Sequence, residues 1–337
     1  MDKPKYYRLF FAQALIGFLL VFSGCGDTSK VTRLKLAHGL DTKHSVHKGM
    51  VYMAKRLDEI SGGKMQIDIY PSGQLGGEQQ CVELLQIGSL AMTKVSTATM
   101  EAFQEDYKVF GLPYVFMSKE HTFSVLDGDI GRELLLGSEK FNLRGMGFYD
   151  AGSRSFYTID KPIQTPEDLK GLKMRVMKSP TAVAMIKEFN ASPTPISWGE
   201  LYTALQSGVV DGAENNPPSF YLSHHYEVCK YYTLNEHTSI PDVLIMSKPI
   251  YDRLSKQEQE WLQQAVDESI PVQRRLWAES EKESLAAVQA AGVTVIRPDK
   301  TEFARQVEGI YESYKSNEHL WNLLQRIKAA NPNNTIE

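Results

Sequence analysis

LKMRVMKSP at residues 172–180, followed by SWGELYTALQSGVVDGAENNPPSFY at 197–221, decides the reading of this chain. Alternation over 172–177 puts Leu172, Met174 and Val176 on one strand face, and Lys173, Arg175 and Met177 on the other. Ser197 and Glu200 have the spacing of a capping box for a helix carrying Leu201 and Leu205, Gly208 closes that helix, and Val209–Ala213 follows as a strand. Asn215 and Asn216 then lie just past a strand's carboxyl end, where ligands of open α/β sheets collect. One arginine on a polar strand face and an Asn pair at a strand end are equipment for holding a small carboxylate. They are not equipment for transforming it.

The flanking sequence alternates helix and strand signals in the same way. Upstream, Leu34–Ala37 is a short strand, and Val46, Met50, Met53, Leu57 and Ile60 share one face of a helix ended by Gly62-Gly63. Met65, Ile67 and Ile69 alternate as a strand, a helix runs from about Glu78 to Ile87, and Ala91–Val95 and Gly145–Tyr149 are further strands. Thr165-Pro166 opens a short helix before the 172–177 strand. Downstream, Ser255 and Glu258 cap a helical pattern running towards Ala291 with Pro271 inside it, which predicts a kink or a division there and a helix able to span two lobes. Val293–Ile296 is a late strand. The pattern is α/β with crossover connections, and with no linker of low complexity the two lobes are expected to exchange strands through several crossings.

Composition limits what such a site serves. The 337 residues, 42% hydrophobic and 23% charged, describe an ordinary globular protein of about two domains. A formal charge of −4 excludes nucleic acid as a partner, because phosphate binding needs a basic footprint. Lys3, Lys5 and Arg8 precede an apolar run from Leu9 to Phe22, too short for a permanent membrane anchor, which reads as a secretory signal. Ser23-Gly24-Cys25 then resembles a bacterial lipoprotein processing site with Cys25 as the lipid-bearing residue; simple secretion with nearby cleavage is the alternative. Export permits a disulfide between Cys81 and Cys229, but both stand in apolar helical context and are expected as buried free thiols, and neither has the spacing of a metal site.

Four segments carry a family resemblance: KLAHGLDTKHSVHKG from residue 35, IYPSGQLGGEQQCVELLQIGSLAMT from 69, LKGLKMRVMKSP from 169 and PTPISWGELYTALQSGVVDGAENNPPSFY from 193. Together they span nearly the whole exported chain, which resembles the periplasmic solute-binding subunits of tripartite ATP-independent (TRAP) transporters. That resemblance implies a two-lobed, Venus-flytrap periplasmic binding protein with a long helix spanning both lobes and no cofactor. It implies a signal peptide over 1–24, one lobe from 31–152 plus about 241–274, and the other from 153–240 plus about 275–330. Arg175 matches the family's carboxylate-clamping arginine, a role suited to the planar guanidinium fork, and Asn215 the asparagine that joins it. Arg154 matches a second cationic position of sugar-acid binders, and Glu78 and His38 match polar positions of the first lobe that meet ligand hydroxyls. Trp198 and Tyr221 are matched to apolar walls. The tail ENNPPSFY favours hexuronates such as glucuronate or galacturonate over C4-dicarboxylates or 2-oxo acids, with a membrane permease as partner and the lipid on Cys25 as the sole link to the membrane.

Each of these residues has a plainer reading from pattern alone. Arg175 fits a solvated strand edge, Glu78 a favourable charge at a helix N-terminus, and His38 a satisfied strand-end histidine. Trp198 and Tyr221 fit core packing, and Asn216 a cap before Pro217-Pro218. An enzyme, for instance one processing uronates, is the rival class, since His44, His47 and His38 lie close in sequence and His224 adjoins His225. No His-Glu-x-x-His element, nucleophile elbow or phosphate loop accompanies them, and Asp211 and Glu214, three apart across a strand end, point to opposite faces.

Overall fold

The computed structural model describes residues 31–332, so the leader and Cys25 lie outside the described residues. Among the described residues, eleven strands form two sheets. The first contains β1 (Thr32–Ala37), β2 (Met65–Tyr70), β3 (Met92–Ser96), β4 (Leu143–Tyr149) and β10 (Asp242–Ser247), in the order β2-β1-β3-β10-β4. The second contains β5 (Arg154–Thr158), β6 (Lys173–Val176), β7 (Ser192–Pro195), β8 (Gly212–Asn215), β9 (Tyr231–Thr238) and β11 (Thr294–Ile296), in the order β11-β9-β5-β8-β6-β7. The chain crosses between the sheets at 150–153 and returns at 239–241. β10 runs antiparallel to β3 and β4, and β5 antiparallel to β8 and β9, while β1, β2 and β3 pair in parallel, as do β6 and β8.

These directions bring one end of each sheet to the crossings. Asp242, the first residue of β10, is in register with Ser96 at the end of β3 and Tyr149 at the end of β4. Arg154 and Ser155, at the start of β5, are in register with Thr238 and Asn215, at the ends of β9 and β8. A cleft between facing strand ends is the result, and chemistry-bearing residues from distant parts of the chain meet there.

Two helices brace the first sheet and the crossing. The helix Ser45–Ser61 buries Val46, Met50, Met53 and Leu57, spaced as one face demands, and ends where Gly62 takes φ +62° in the left-handed region that glycine adopts without a Cβ penalty. Its Gly49 lies so close to the long helix Lys256–Ala290 that a Cβ there would stand 2.8 Å from Gln273 Cβ. Ser255 and Glu258 form the expected capping box of that long helix. Pro271 neither divides nor ends it: the 35 residues form one helix. Tertiary bonds secure the region that proline weakens. Ser269 Oγ and Tyr149 Oη share a hydrogen bond at 2.7 Å, and Gln273 grips Asp150 from both sides, accepting from its N–H and donating to its C=O at 2.8 Å each. The helix packs on Ser45–Ser61 at one end and on Pro217–Leu222, beside the second sheet, at the other.

Two local expectations shift. The strand expected over Val209–Ala213 is Gly212–Asn215, because Val209 is exposed and Asp211 instead turns its carboxylate to accept from Lys173 N–H at 2.7 Å. Gly212 permits the pairing, since a Cβ there would fall 2.4 Å from Tyr157 O. Asn215 therefore closes the strand instead of following it. The capping box at Ser197 does not form: Trp198–Glu200 is a single 3₁₀ turn and the helix proper starts at Leu201, so Ser197 no longer fronts its first turn. Cys81 and Cys229 are both free and buried.

Candidate functional site

Arg175 sits mid-strand in β6, where Met174 and Val176 face the main core and alternation sends the guanidinium to the opposite side. That side is not solvent. Arg175 is 2% exposed, and its Nε and Nη2 both donate to Ile196 O, at 2.9 and 2.7 Å, just beyond the neighbouring β7. Its Nη1 is buried and has no hydrogen-bond partner among the described residues. The Trp198 ring centroid lies 5.9 Å from the guanidinium carbon, His225 packs edge-on against Trp198, and Tyr157 Oη meets His225 Nδ1 at 3.0 Å. Burial, with the field of Arg154, lowers the Arg175 pKa from its ordinary value, but a guanidinium keeps its charge in a protein. Burial and the Arg175 charge push His225 down to about 3, so it is neutral.

Arg154 lies equally deep but is neutralised. Its Nε pairs with the Glu214 carboxylate, its Nη2 donates to Glu214 Oε1 and to the Glu214 carbonyl at 2.9 Å each, and its Nη1 donates to Asn215 Oδ1 at 2.9 Å. Burial alone would raise Glu214; Arg154 and His237 hold it at about 2 instead. Asn215 is thus fixed through Oδ1, which also accepts from Asn216 N–H, and its backbone oxygen accepts from Tyr232 Oη. Asn216 spends both polar atoms on structure: Oδ1 caps the next helix at Ser219 N–H, and Nδ2 donates to Ala151 O in the crossing.

The first sheet supplies the facing wall. Glu78 opens the helix Glu78–Gln86 and accepts from Ser96 N–H at 3.2 Å and Thr99 Oγ1 at 2.6 Å, with Lys94 Nζ 3.3 Å from its other oxygen. His38, just past β1, accepts from Leu40 N–H on Nδ1, so its Nε2 carries the proton and donates to His47 Nδ1 at 3.0 Å. Burial and Lys94 keep His38 neutral, with its pKa down at about 3. Beside it, a Cβ on Gly39 would stand 3.9 Å from Trp198 Cδ1, so the two walls meet here. Tyr221 instead stacks on Tyr226 at 5.4 Å within the aromatic cluster around Tyr157 and Phe220.

The fold thus gathers Arg175, Trp198, Arg154 and Asn215 on one wall and His38 and Glu78 on the other. Sequence reasoning missed Lys94, Asp242 and His237, and weighed Glu214 and His225 only as parts of a rival enzyme site. One signal existed, a lysine inside the otherwise uncharged strand MTKVS, all of whose residues are buried. A separate cavity of about 460 Å³, lined by Tyr114, Phe123 and Lys119 with the crossing residues Asp150–Ser153, holds none of the residues above. Lys119 and Lys300 in it are already paired, with Asp150 and Glu281 and with Glu236. Among the described residues, only Arg175 combines deep burial with an unpartnered guanidinium donor and no counter-ion, and a lone buried cation demands an anion.

The sequence profile of the family described as "Bacterial extracellular solute-binding protein, family 7" matches residues 36–317. An uncharacterized protein of Salmonella typhimurium, YiiZ, is 38% identical over 332 residues, 98% of this chain and 99% of its own. Among solved structures, a TRAP periplasmic solute binding protein from Bradyrhizobium sp. BTAi1 in complex with α/β-D-galacturonate superimposes with a TM-score of 0.86 at 40% identity, covering 88% of this chain and 99% of that one. Another, from Anaerococcus prevotii with bound α/β-D-glucuronate, gives 0.87 at 34% identity over 89% of this chain and 98% of that one.

Proposed function

Because the chain belongs to family 7 of the bacterial extracellular solute-binding proteins, we propose that it captures a hexuronate in the periplasm and delivers it to the membrane permease of a TRAP transporter. It is a binding protein, not an enzyme. The observation that carries the ligand class is Arg175 Nη1, a buried donor with no partner on a cation with no counter-ion. A ligand carboxylate supplies both, and the bonds are of the strong, charge-assisted kind. Asn215 and Arg154, bonded to each other and with one Arg154 N–H left over, complete the polar side of the same wall, and Trp198 forms the apolar side against which a sugar ring packs.

Glu78 and His38, on the other wall, meet the sugar's hydroxyls once the lobes come together. With the lobes joined at 150–153, at 239–241 and through the long helix, the closed form is the binding form, and the ligand's preference for it drives closure. Cys25 carries the lipid that keeps the exported protein at the membrane. Solved relatives carrying galacturonate and glucuronate support the choice of hexuronates. The test is a thermal-shift and calorimetric screen of glucuronate, galacturonate and succinate with mass-spectrometric recovery of the ligand. Hexuronates raise the melting temperature and are recovered unchanged. A shift with succinate alone, or consumption of the sugar, defeats the proposal.

A further inference from the structure

The two walls of the cleft carry opposite net charge. Arg175, Arg154 and Glu214 leave the second-sheet wall at +1, whereas Lys94, Glu78 and Asp242 leave the first-sheet wall at −1. Lys94 is buried, its Nζ 3.3 Å from Glu78 Oε1 and 3.1 Å from Asp242 Oδ1. Burial alone would lower its pKa, but Asp242 and Glu78 more than offset that and raise it, so it remains a cation wholly occupied by two carboxylates. Asp242 heads β10 at the return crossing and Glu78 heads its helix, so both face the gap from the strand-end edge. The walls act on each other: Arg175 feels the charge of Glu78, and Asp242 that of Arg154.

A single carboxylate bound at Arg175 neutralises the second wall. The first wall then still shows −1, with acceptor oxygens suited to hydroxyl donors and no free cation for a second carboxylate. We propose that the Lys94–Glu78–Asp242 cluster makes the cleft select sugar acids with one carboxylate against those with two, by setting a net negative wall at the ligand's far end. The inference deepens the hexuronate reading and rests on it.

Calorimetry on the full exported chain tests it with galactonate and galactarate, open-chain six-carbon acids that differ only in a terminal CH₂OH against COO⁻, and with galacturonate as reference. Galactonate is expected to bind at least about tenfold tighter than galactarate, the ratio that about 1.4 kcal/mol produces. In Glu78→Gln and Asp242→Asn, each checked for folding by circular dichroism, that ratio falls at least about threefold, because the variants remove a like charge without removing bulk. Glu78 is partly exposed and gives the test alone if Asp242→Asn fails to fold. Equal or undetectable binding of both open-chain acids, or a ratio unchanged in the folded variants, overturns the inference while galacturonate still binds. Absence of galacturonate binding removes the hexuronate reading itself.

Discussion

At the scale of single residues, Arg175 and Arg154 show how one residue type does two jobs. Arg154 is a structural cation locked to Glu214, and Arg175 is the open one. Arg175→Ala should weaken hexuronate binding at least about tenfold by calorimetry, since charged hydrogen bonds contribute about 1.5–3 kcal/mol. Arg175→Lys should fail to restore it, because a point ammonium cannot hold Ile196 O and a carboxylate with one planar fork. Glu214→Gln acts on the fold instead: it strands Arg154 in the interior and should cost about 3–5 kcal/mol in urea unfolding. Alternation revealed that Arg175 leaves the core side of its strand. It said nothing of the carbonyl at Ile196 or the ring of Trp198 that bury it, since both arrive by tertiary packing.

At the scale of elements, the helices that carry their own punctuation were legible, and those whose ends depend on neighbours were not. Gly62 closes the helix Ser45–Ser61 and Ser255 opens the long helix as their local sequence indicates. The strand Gly212–Asn215 lies three residues later than its apolar run suggests, because register with Tyr157 and Met174 outweighs the propensity of two valines. Pro271 is accommodated by Gln273 and Ser269, whose partners lie in another part of the chain. The meeting of helices at Gly49 is equally specific. Gly49→Val should overpack against Gln273 and cost about 1–3 kcal/mol, seen as a lower urea midpoint with an unchanged slope.

At the scale of the whole molecule, buried titratable groups give stability a two-sided dependence on pH. His38 and His44 are held at about 3, chiefly by burial, so the unfolded chain takes up protons below about 6.5 that the native one refuses. Their contribution is present above pH 6.5 and lost as pH falls towards 3, and melting temperature should drop across that window, less steeply in His44→Gln. Glu101 works the other way. Its buried carboxylate accepts from Ser179 Oγ, Thr181 N–H and Thr181 Oγ1, and burial lifts it to about 7, so the native state keeps a proton that the unfolded state releases from about 4.5 upward. Its contribution is present below pH 4.5 and lost as pH rises through 7; Glu101→Gln should flatten that limb of the melting profile.

Gln273 holds both the N–H and the C=O of Asp150, so this residue of the outward crossing is pinned to the middle of the long helix like a doorpost. Asn216 holds Ala151 from the second lobe, so in this crossing a swing of one lobe against the other falls on Gly152 and Ser153, and Gly152 already adopts φ +58°. Small rotations at that doorpost become large excursions at the rim. A permease can therefore tell a loaded carrier from an empty one by the spacing of two distant surface points, without touching the sugar.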